Sequence, residues 1–470
     1  MEEQPAPEAP AAPPAKGKGG MWIGIVVVAI VIIILLAAVF GGLFKGAPAA
    51  KDTTLKIGTV LTLTGSSGLE VFGPKNQRGV LLAIAEINAA GGVLGHNITV
   101  QNEDDNGVDL TAHDRAQKLV TTDHVDAIIG AVGSGKCAKV LEVTSANQVV
   151  QVSASCTSPI FTNLTYTGGW FFRTAPSDAL QGVVAANYAY TNRSLRHMGV
   201  IGNDNPYGRG LANVFATKFR ALGGIANVSI LAEGSSSYAS ELGALITPQM
   251  QAIYMAEYPT DGLRVMQDWY ANSAWAGMRW IFSEGVLDQG GFIDPLYTAG
   301  INASAFQGSA PGAYLGIVGP LYDQFKTSYM AAYNNQDPGL FTANAYDAVY
   351  LLAASAQKAG EATSAGIKAN MQAVSTPPGT QYHGGQWAAI KAAIDAGTEI
   401  NYEGASGAVN LDQYGDPLSG YAIWGVNAGT HQIQTLEYYN EAMVVALLPA
   451  PSPAPGTRSV EWQAAARSER

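Results

Sequence analysis

Two adjacent segments decide the fold: T-L-K-I-G-T-V-L-T-L-T-G at 54–65 and N-Q-R-G-V-L-L-A-I-A-E-I-N-A-A-G-G at 76–92. The first is rich in β-branched and apolar residues and ends in glycine, which predicts a buried strand followed by a loop. The second has Val80, Ile84 and Ile87 at helical spacing on one face, and it closes with two glycines where a helix is expected to end. A buried strand followed by an amphipathic helix is the first unit of an α/β fold.

The same alternation continues along the chain. Further strands are predicted at 97–105, 126–130 and 149–155, with helices around 110–122 and from residue 135. A second run begins after F-F-R-T-A-P-S-D, with predicted strands near 197–203, 227–233, 251–257 and 278–284. Short connections between strands and helices predict parallel, doubly wound sheets covered by helices, with right-handed crossovers. Two such lobes would enclose one ligand cleft between the carboxyl ends of their strands.

Composition excludes several classes of protein. With 26 basic and 37 acidic residues the net charge is -11, which argues against a nucleic-acid binder because such proteins cluster Lys and Arg. A hydrophobic content of 47% argues against a disordered chain. The two cysteines can form neither a multi-bridge scaffold nor an all-cysteine zinc site. We expect no metal and no cofactor.

The N-terminal region predicts attachment to a membrane. Residues 1–20 are rich in Pro and Ala, which predicts a disordered cytoplasmic tail. Residues 21–44 contain an uncharged apolar run that would reach about 34 Å as a helix, enough to cross a membrane once. We interpret it as an uncleaved signal anchor, followed by a linker at 45–54; a cleaved signal peptide is the alternative. The body of the chain would then lie on the extracytoplasmic side.

A glycine-rich turn follows the strand at 126–130. Its sequence G-A-V-G-S-G-K-C, ending at Cys137, matches a phosphate-binding loop except at the last position, where a thiol replaces the hydroxyl that would bind Mg²⁺. The turn could instead present Ser134 and free backbone N–H groups to a carboxylate, because a helix N-terminus favours anions. A turn with no ligand is the third interpretation.

Hydroxyl side chains follow the next strand, in V-S-A-S-C-T-S-P at 152–159. If the two loops are neighbours at the sheet edge, Cys137 and Cys156 would be close enough for a disulfide bond in an oxidising compartment. Two buried free thiols are the alternative.

Candidate binding residues also end strands in the second run. Tyr207 and Tyr258 lie in strand-to-helix loops, and Glu284 directly ends W-I-F-S-E. A carboxylate there is suited to bind a ligand ammonium group beneath aromatic rings, although taken alone Glu284 is more typical of a solvated loop. Neither an H-E-x-x-H pair nor a G-x-S-x-G elbow occurs, so an enzyme is not expected.

Motifs in one order and spacing carry a family resemblance over about residues 55–435. They are L-T-G with F-G at Phe72, A-I-A-E-I-N-A-A-G-G-V-L-G, the Ser134 turn, S-A-S-C-T-S-P, Y-G-R-G, S-E-G, A-Y-D-A-V-Y-L-L-A and G-A-S-G-A-V-N-L-D-Q-Y-G-D. Together they resemble the type I periplasmic binding proteins, in the branched-chain amino-acid (Leu/Ile/Val) family that serves ABC transporters.

The resemblance implies roles for residues of this chain. It places a ligand α-carboxylate at Ser134 and Thr157, and a ligand ammonium at the Ser155 carbonyl and Glu284. Further pocket residues that it implies are Tyr207 and Tyr258, which would cap the ligand, and Phe72 and Tyr346, which would line the pocket. Phe72 stands where a tyrosine is common in the family, which would favour a more apolar ligand.

The resemblance also implies the domain plan and the partners. Three hinge segments would join lobe 1, at 55–172 plus 307–408, to lobe 2, at 173–306 plus 409–445, with a Pro-rich linker and tail at 446–470. The implied function is capture of an amino acid for an ABC transporter permease. The alternatives are a sensory ectodomain of the same fold and a binder of another carboxylate or an amide.

Overall fold

The computed structural model describes residues 53–312 and 319–448. The predicted cytoplasmic tail at 1–20, the predicted membrane anchor at 21–44 and nearly all of the predicted tail at 446–470 lie outside these residues. Among the helices of the described residues, none has the length and apolar character needed to cross a membrane.

The first sheet has the strands β1 (Lys56–Leu61), β2 (Thr99–Asp104), β3 (Ala127–Gly130), β4 (Val150–Ser153) and β5 (Phe171–Arg173). They are parallel and lie in the order β2-β1-β3-β4-β5. Helices α1 (Gly73–Ala89), α2 (Asp109–Thr121), α3 (Ser134–Ala146) and α4 (Leu164–Thr167) connect them. Strands β3 and β4 are buried along their whole length, as expected for a sheet covered on both faces.

The second sheet has the strands β6 (His197–Asn203), β7 (Ile225–Leu231), β8 (Ala252–Ala256), β9 (Arg279–Phe282), β10 (Gln307–Pro311), β14 (Tyr421–Val426) and β15 (Ile433–Tyr439). These seven strands lie in the order β15-β14-β10-β9-β8-β6-β7. Its helices are α5 (Asp178–Asn187), α6 (Pro206–Ala221), α7 (Ala239–Leu245), α8 (Pro259–Ala271), α9 (Asp294–Thr298) and α14 (Glu441–Leu447). Strands β6, β7, β8, β9 and β10 run parallel to one another. Strand β14 pairs antiparallel with both β10 and β15. The two sheets confirm the predicted α/β class.

The chain then returns to the first lobe. Helices α10 (Pro320–Ala332), α11 (Thr342–Ala359), α12 (Ser364–Ser375) and α13 (Trp387–Asp395) accompany a small sheet of β11 (Thr380–His383), β12 (Ile400–Gly404) and β13 (Gly407–Ala408). Helix α11 is buried from Thr342 to Gln357 and belongs to the same apolar core as α1. Trp387 of α13 donates its indole N–H to the Gly92 carbonyl at 2.9 Å, which ties this return segment to the end of α1.

One lobe boundary differs from the prediction at residue 307. Strand β10, at 307–311, pairs with β9 and β14 and so belongs to the second sheet. The chain therefore returns to the first lobe after Gly312 rather than before Gln307. A short buried strand carries no local mark of the sheet that it joins, because pairing is decided by distant segments.

A buried ion pair lies where the chain passes between the lobes. Arg173 is fully buried, and its guanidinium makes two bonds to the Asp416 carboxylate, at 2.6 and 2.7 Å. The same guanidinium donates to the carbonyls of Cys156 and Ser158, at 3.1 and 2.9 Å. A buried charge needs such complete pairing, so this cluster holds the first and last crossings against the loop that follows β4.

The two lobes are in direct contact across their facing edges. Lys75 of α1 forms an ion pair with Asp288 of the second lobe at 2.5 Å. The Ser158 hydroxyl, in the first lobe, donates to the Pro206 carbonyl of the second lobe at 2.8 Å. The described structure is therefore a closed arrangement of the lobes.

Candidate functional site

Ser134 begins α3 at the carboxyl end of β3, in the glycine-rich turn. The preceding Gly133 has φ 86° and ψ 134°, a conformation that glycine adopts without the strain of a side chain. The Ser134 hydroxyl accepts a hydrogen bond from the Ser158 backbone N–H at 3.2 Å. The two loops that the sequence analysis singled out are therefore neighbours, with the N-terminus of α3 facing the cleft.

A disulfide bond between Cys137 and Cys156 also joins these loops. Both cysteines are completely buried. The Ser153 hydroxyl accepts hydrogen bonds from the backbone N–H groups of Ser155 and Cys156, at 3.2 and 3.0 Å, and so closes the turn. Of the two alternatives left open by the sequence, the structure has the disulfide rather than two free thiols. The bond holds Ser155 and Thr157 in a set position relative to Ser134.

The two predicted tyrosines of the second lobe form a stacked pair. Their ring centroids lie 5.1 Å apart with an interplanar angle of 11°. The Tyr207 hydroxyl donates to the Ser283 hydroxyl at 2.7 Å and accepts from the Gly285 backbone N–H at 3.2 Å. The Tyr258 hydroxyl lies close to Gly133 of the first lobe, since a Cβ atom added to Gly133 would be 3.1 Å from the hydroxyl oxygen. Burial raises the pKa of Tyr258, while the Ser134 backbone N–H lowers it.

Glu284 lies beneath this pair at the end of β9 and is only 2% exposed. Gln181 of α5 donates its amide N–H to the Glu284 carboxylate and also to the Ser309 carbonyl, the latter at 3.2 Å. Burial raises the pKa of Glu284 to about 7, although hydrogen bonds from Gln181 and the backbone lower it in part. The donors that hold this carboxylate are neutral, so its charge is not balanced by them.

Asp178 is a second carboxyl group in the site, and the sequence analysis did not select it. It is completely buried in the first turn of α5, three residues before Gln181. Burial, followed by repulsion from Glu284, raises the pKa of Asp178 well above its usual range; the Thr157 hydroxyl and Arg173 lower it only in part. The motif A-P-S-D reads as an ordinary helix start, because Ser177 is the N-cap and an acidic residue is favourable in the first turn.

The other two predicted pocket residues lie in different places. Phe72 is buried in the apolar cluster that also contains Tyr207 and Tyr258, so it lies among residues of both lobes. Tyr346 instead lies inside the first lobe, where its hydroxyl donates to Glu86 and its ring packs 5.1 Å from Phe325. The structure does not bring Tyr346 to the group formed by the other predicted residues.

Lys136, the lysine of the loop that resembles a phosphate-binding motif, is 4% exposed. Its ammonium lies 3.4 Å from the Asp109 carboxylate, in an ion pair within the first lobe. Over residues 53–312 and 319–448, His, Cys, Asp and Glu form no group of three or more that could hold a metal ion.

Comparison with known proteins finds relatives over most of the chain. The sequence pattern of the periplasmic binding protein family matches residues 54–385. The chain is 26% identical over 383 residues to the chemotactic signal transduction system substrate-binding protein BasB of Halobacterium salinarum, covering 78% of this chain and 86% of that protein. It is 29% identical over 338 residues to Leu/Ile/Val-binding protein homolog 1 of Brucella abortus, covering 69% and 82%.

Solved structures show the same fold. The leucine-binding protein LivK of Thermotoga maritima superposes with a TM-score of 0.69 at 21% identity, over 82% of this chain and 99% of that one. A solute-binding protein of Rhodopseudomonas palustris, solved with benzoate, superposes with a TM-score of 0.65 at 19% identity, over 82% and 96%. The matched relatives are substrate-binding proteins rather than enzymes, which confirms that expectation. Since the family pattern spans well over half of the sequence, the chain belongs to the type I periplasmic binding proteins, in their branched-chain amino-acid family.

Proposed function

We propose that this solute-binding protein captures an α-amino acid in the cleft between its lobes and delivers it to an ABC transporter permease from the extracytoplasmic side of the membrane. In this proposal the segment at 21–44 is a single-pass anchor. The observation that carries the proposal is the buried Glu284 carboxylate, whose donors among the described residues are neutral and which lies beside a second buried carboxyl group, Asp178.

The two carboxyl groups favour a ligand with an ammonium group. Two buried acids that repel each other are costly in a closed cleft unless a cation lies between them or a proton neutralises one of them. An ammonium group would supply the missing positive charge and three hydrogen-bond donors. Closure would then be favoured only with the ligand present, which is what a transport protein needs in order to bind and release its cargo.

The opposite side of the cleft favours a carboxylate. Ser134 begins the 13-residue helix α3, whose N-terminus carries partial positive charge and has no side-chain hydrogen bond from its N-cap residue, Gly133. Thr157 is 1% exposed in the loop that the disulfide joins to this helix. In this arrangement the ligand carboxylate would bind at Ser134 and Thr157. The ligand ammonium would bind at Glu284, with the Ser155 carbonyl beside it. An α-amino acid would then lie across the cleft beneath Tyr207 and Tyr258.

Calorimetric titration of the purified full-length chain tests this proposal. We expect one-to-one binding of an amino acid, and at least a tenfold loss of affinity in Glu284→Gln, because the substitution removes the charge that balances the ammonium. Glu399→Gln is the matched control, since Glu399 is 64% exposed and pairs with Lys358 on the surface of the first lobe. Binding of benzoate but of no amino acid would overturn the role of Glu284 while leaving a solute-binding function.

A sensory role is the second candidate, because BasB, a chemotactic substrate-binding protein, matches 78% of this chain. Both functions would use the same ligand-driven closure. Deleting the gene and measuring both uptake of the labelled ligand and movement towards it separates the two. Loss of uptake with normal movement supports the importer proposal, and the reverse result supports the sensory one.

A further inference from the structure

The side chain of Asn76, in the first lobe, is completely buried. Neither Nδ2 nor Oδ1 of this residue has a hydrogen-bond partner within residues 53–312 and 319–448. The hydroxyl of Thr342, which is also completely buried, lacks a partner in the same described residues. Buried polar groups without partners are rare and costly, so each requires an explanation.

Both residues lie at one contact, between α1 and the start of α11, where the Thr342 methyl group would lie 3.2 Å from a Cβ on Gly79. Two glycines show how closely the chain packs on either side of Asn76. A Cβ atom added to Gly79 would lie 2.4 Å from the Thr342 carbonyl oxygen, and a Cβ atom added to Gly339 would lie 2.4 Å from the Lys75 side chain. Asn76 and Gly79 are three residues apart on a helix and so share a face. Asn76 therefore faces the segment that leads into α11 at Thr342.

This contact lies at the edge where the lobes meet. Lys75 pairs with Asp288 of the second lobe, and a Cβ on Gly291 of that lobe would lie 2.7 Å from the Val71 side chain. Phe72, one helical turn before Asn76, belongs to the apolar cluster that contains Tyr207 and Tyr258. The first turn of α1 is thus part of the wall of the closed cleft.

Phe341 completes this wall. It is 7% exposed, belongs to the same cluster as Phe72, and directly precedes Thr342. Its φ of 65° is a left-handed conformation that a bulky aromatic residue rarely adopts, so the surrounding packing must hold it there. Two buried aromatic rings and two buried neutral hydrogen-bonding groups are therefore contributed by the start of α1 and the start of α11.

We propose that Asn76 and Thr342 are specificity-determining residues that bind a neutral hydrogen-bonding group on the ligand's side chain. The preferred ligand is then an α-amino acid with a hydroxyl or amide side chain rather than a purely aliphatic one. This inference rests on the proposed function, because it assumes an amino acid anchored at Ser134 and Glu284. It departs from the expectation of a more apolar ligand that Phe72 alone suggests.

A charged side chain fits this pair less well. The ammonium of Lys75, which is close by, already pairs with Asp288 at 2.5 Å. A buried charge on the ligand would need an opposite charge, whereas Asn76 and Thr342 offer an amide and a hydroxyl. A neutral group that both donates and accepts can pair with both of them. A ligand that lacks such a group would leave them unpaired, and sites of this kind reject such analogues strongly.

Titration with ligand pairs of nearly equal shape tests the inference on the full-length chain. The pairs are threonine against valine and asparagine against leucine, each differing by a hydrogen-bonding group. We expect the polar member of at least one pair to bind at least tenfold more tightly. Asn76→Leu should remove that preference. It should lower the affinity for the polar ligand of the pair and leave the affinity for the aliphatic ligand unchanged or higher. Thr342→Val, which keeps the shape, should reduce the preference in the same direction.

Gln77→Leu is the matched control, because it is the neighbouring helix position and the change of side chain is similar. It should leave the preference unchanged. The inference would be overturned if the unaltered protein bound valine as tightly as threonine, and leucine as tightly as asparagine, or more tightly. It would also be overturned if Asn76→Leu lowered the affinity for both ligands of each pair equally. Those results leave the proposed function intact, whereas failure to bind any amino acid removes the proposed function and this inference together.

Discussion

Glu284 shows how burial sets the behaviour of a single residue. Its carboxyl group is 2% exposed, and burial raises its pKa to about 7 from an ordinary value of 4.5. The protonated form of Glu284 is therefore favoured below about pH 7. An ammonium ligand favours the ionised form, so its binding is linked to release of a proton from this group.

We predict that the affinity for an amino acid rises with pH between about 5 and 7, by about tenfold per pH unit at most, and levels off above. The sign follows because protonated Glu284 cannot balance the ammonium charge. In the ligand-free protein the raised pKa has the opposite effect: the folded state holds the proton more tightly, so ionisation lowers the free energy of unfolding as pH rises from about 4.5 to 7. Titrations at several pH values, compared with Glu284→Gln, measure the first effect. An affinity that does not change with pH would contradict it.

Asp178 shows what local sequence conceals at the same scale. In the chain it looks like a favourable first-turn residue of a helix, and such residues are usually solvated. Only the folded protein reveals that it is completely buried and close enough to Glu284 for their charges to repel. Tyr346 is the converse, since its motif suggested the pocket and its hydroxyl instead donates to Glu86 inside the first lobe.

At the scale of elements, the site depends on how α3 is held against the loop after β4. The disulfide joins Cys137, in the first turn of α3, to Cys156, between Ser155 and Thr157, across a sequence separation of 19 residues. A hydrogen bond from the Ser158 N–H to Ser134 runs parallel to it. The two parts of the proposed carboxylate site are therefore joined directly to each other.

Replacing both cysteines, in Cys137→Ser/Cys156→Ser, should lower the free energy of unfolding by about 3 kcal/mol, because the unfolded chain gains the entropy of an open loop. Ligand affinity should also fall, since Ser134 and Thr157 would no longer be held together. Denaturant unfolding and titration measure the two effects, and reducing agent added to the unaltered protein is the control. An unchanged unfolding midpoint would show that the bond does not stabilise the fold.

At the scale of the whole molecule, closure depends on contacts between lobes that are far apart in sequence. The ion pair of Lys75 with Asp288 joins α1 to the second lobe; its two side chains are 30% and 6% exposed. Because it joins residues of the two lobes, it stabilises their closed arrangement and not either lobe by itself. Partly exposed pairs contribute modestly, typically below about 1 kcal/mol.

Lys75→Met should therefore weaken ligand binding about two- to fivefold without lowering the thermal stability of the lobes. Lys326→Met is the matched control, because Lys326 pairs with Asp337 inside the first lobe at 2.5 Å, so the same charge is lost without an interlobe contact. Titration and small-angle scattering with and without ligand provide the measurements. Equal effects of the two variants would indicate that the Lys75 pair has no special part in closure.

The sequence by itself determined the α/β class, the order of strands and helices, and the strand-end positions of Ser134, Thr157, Tyr207, Tyr258 and Glu284. These follow from local patterns, namely buried strand runs, helical spacing and glycine at turns, which act over a few residues. Only the tertiary structure decided that β10 joins the second sheet, that Asp178 lies beside Glu284, and that Asn76 lies buried at the edge between the lobes. Those outcomes depend on packing between segments more than a hundred residues apart, such as Gln181 against Glu284 at a separation of 103, and no local pattern encodes them.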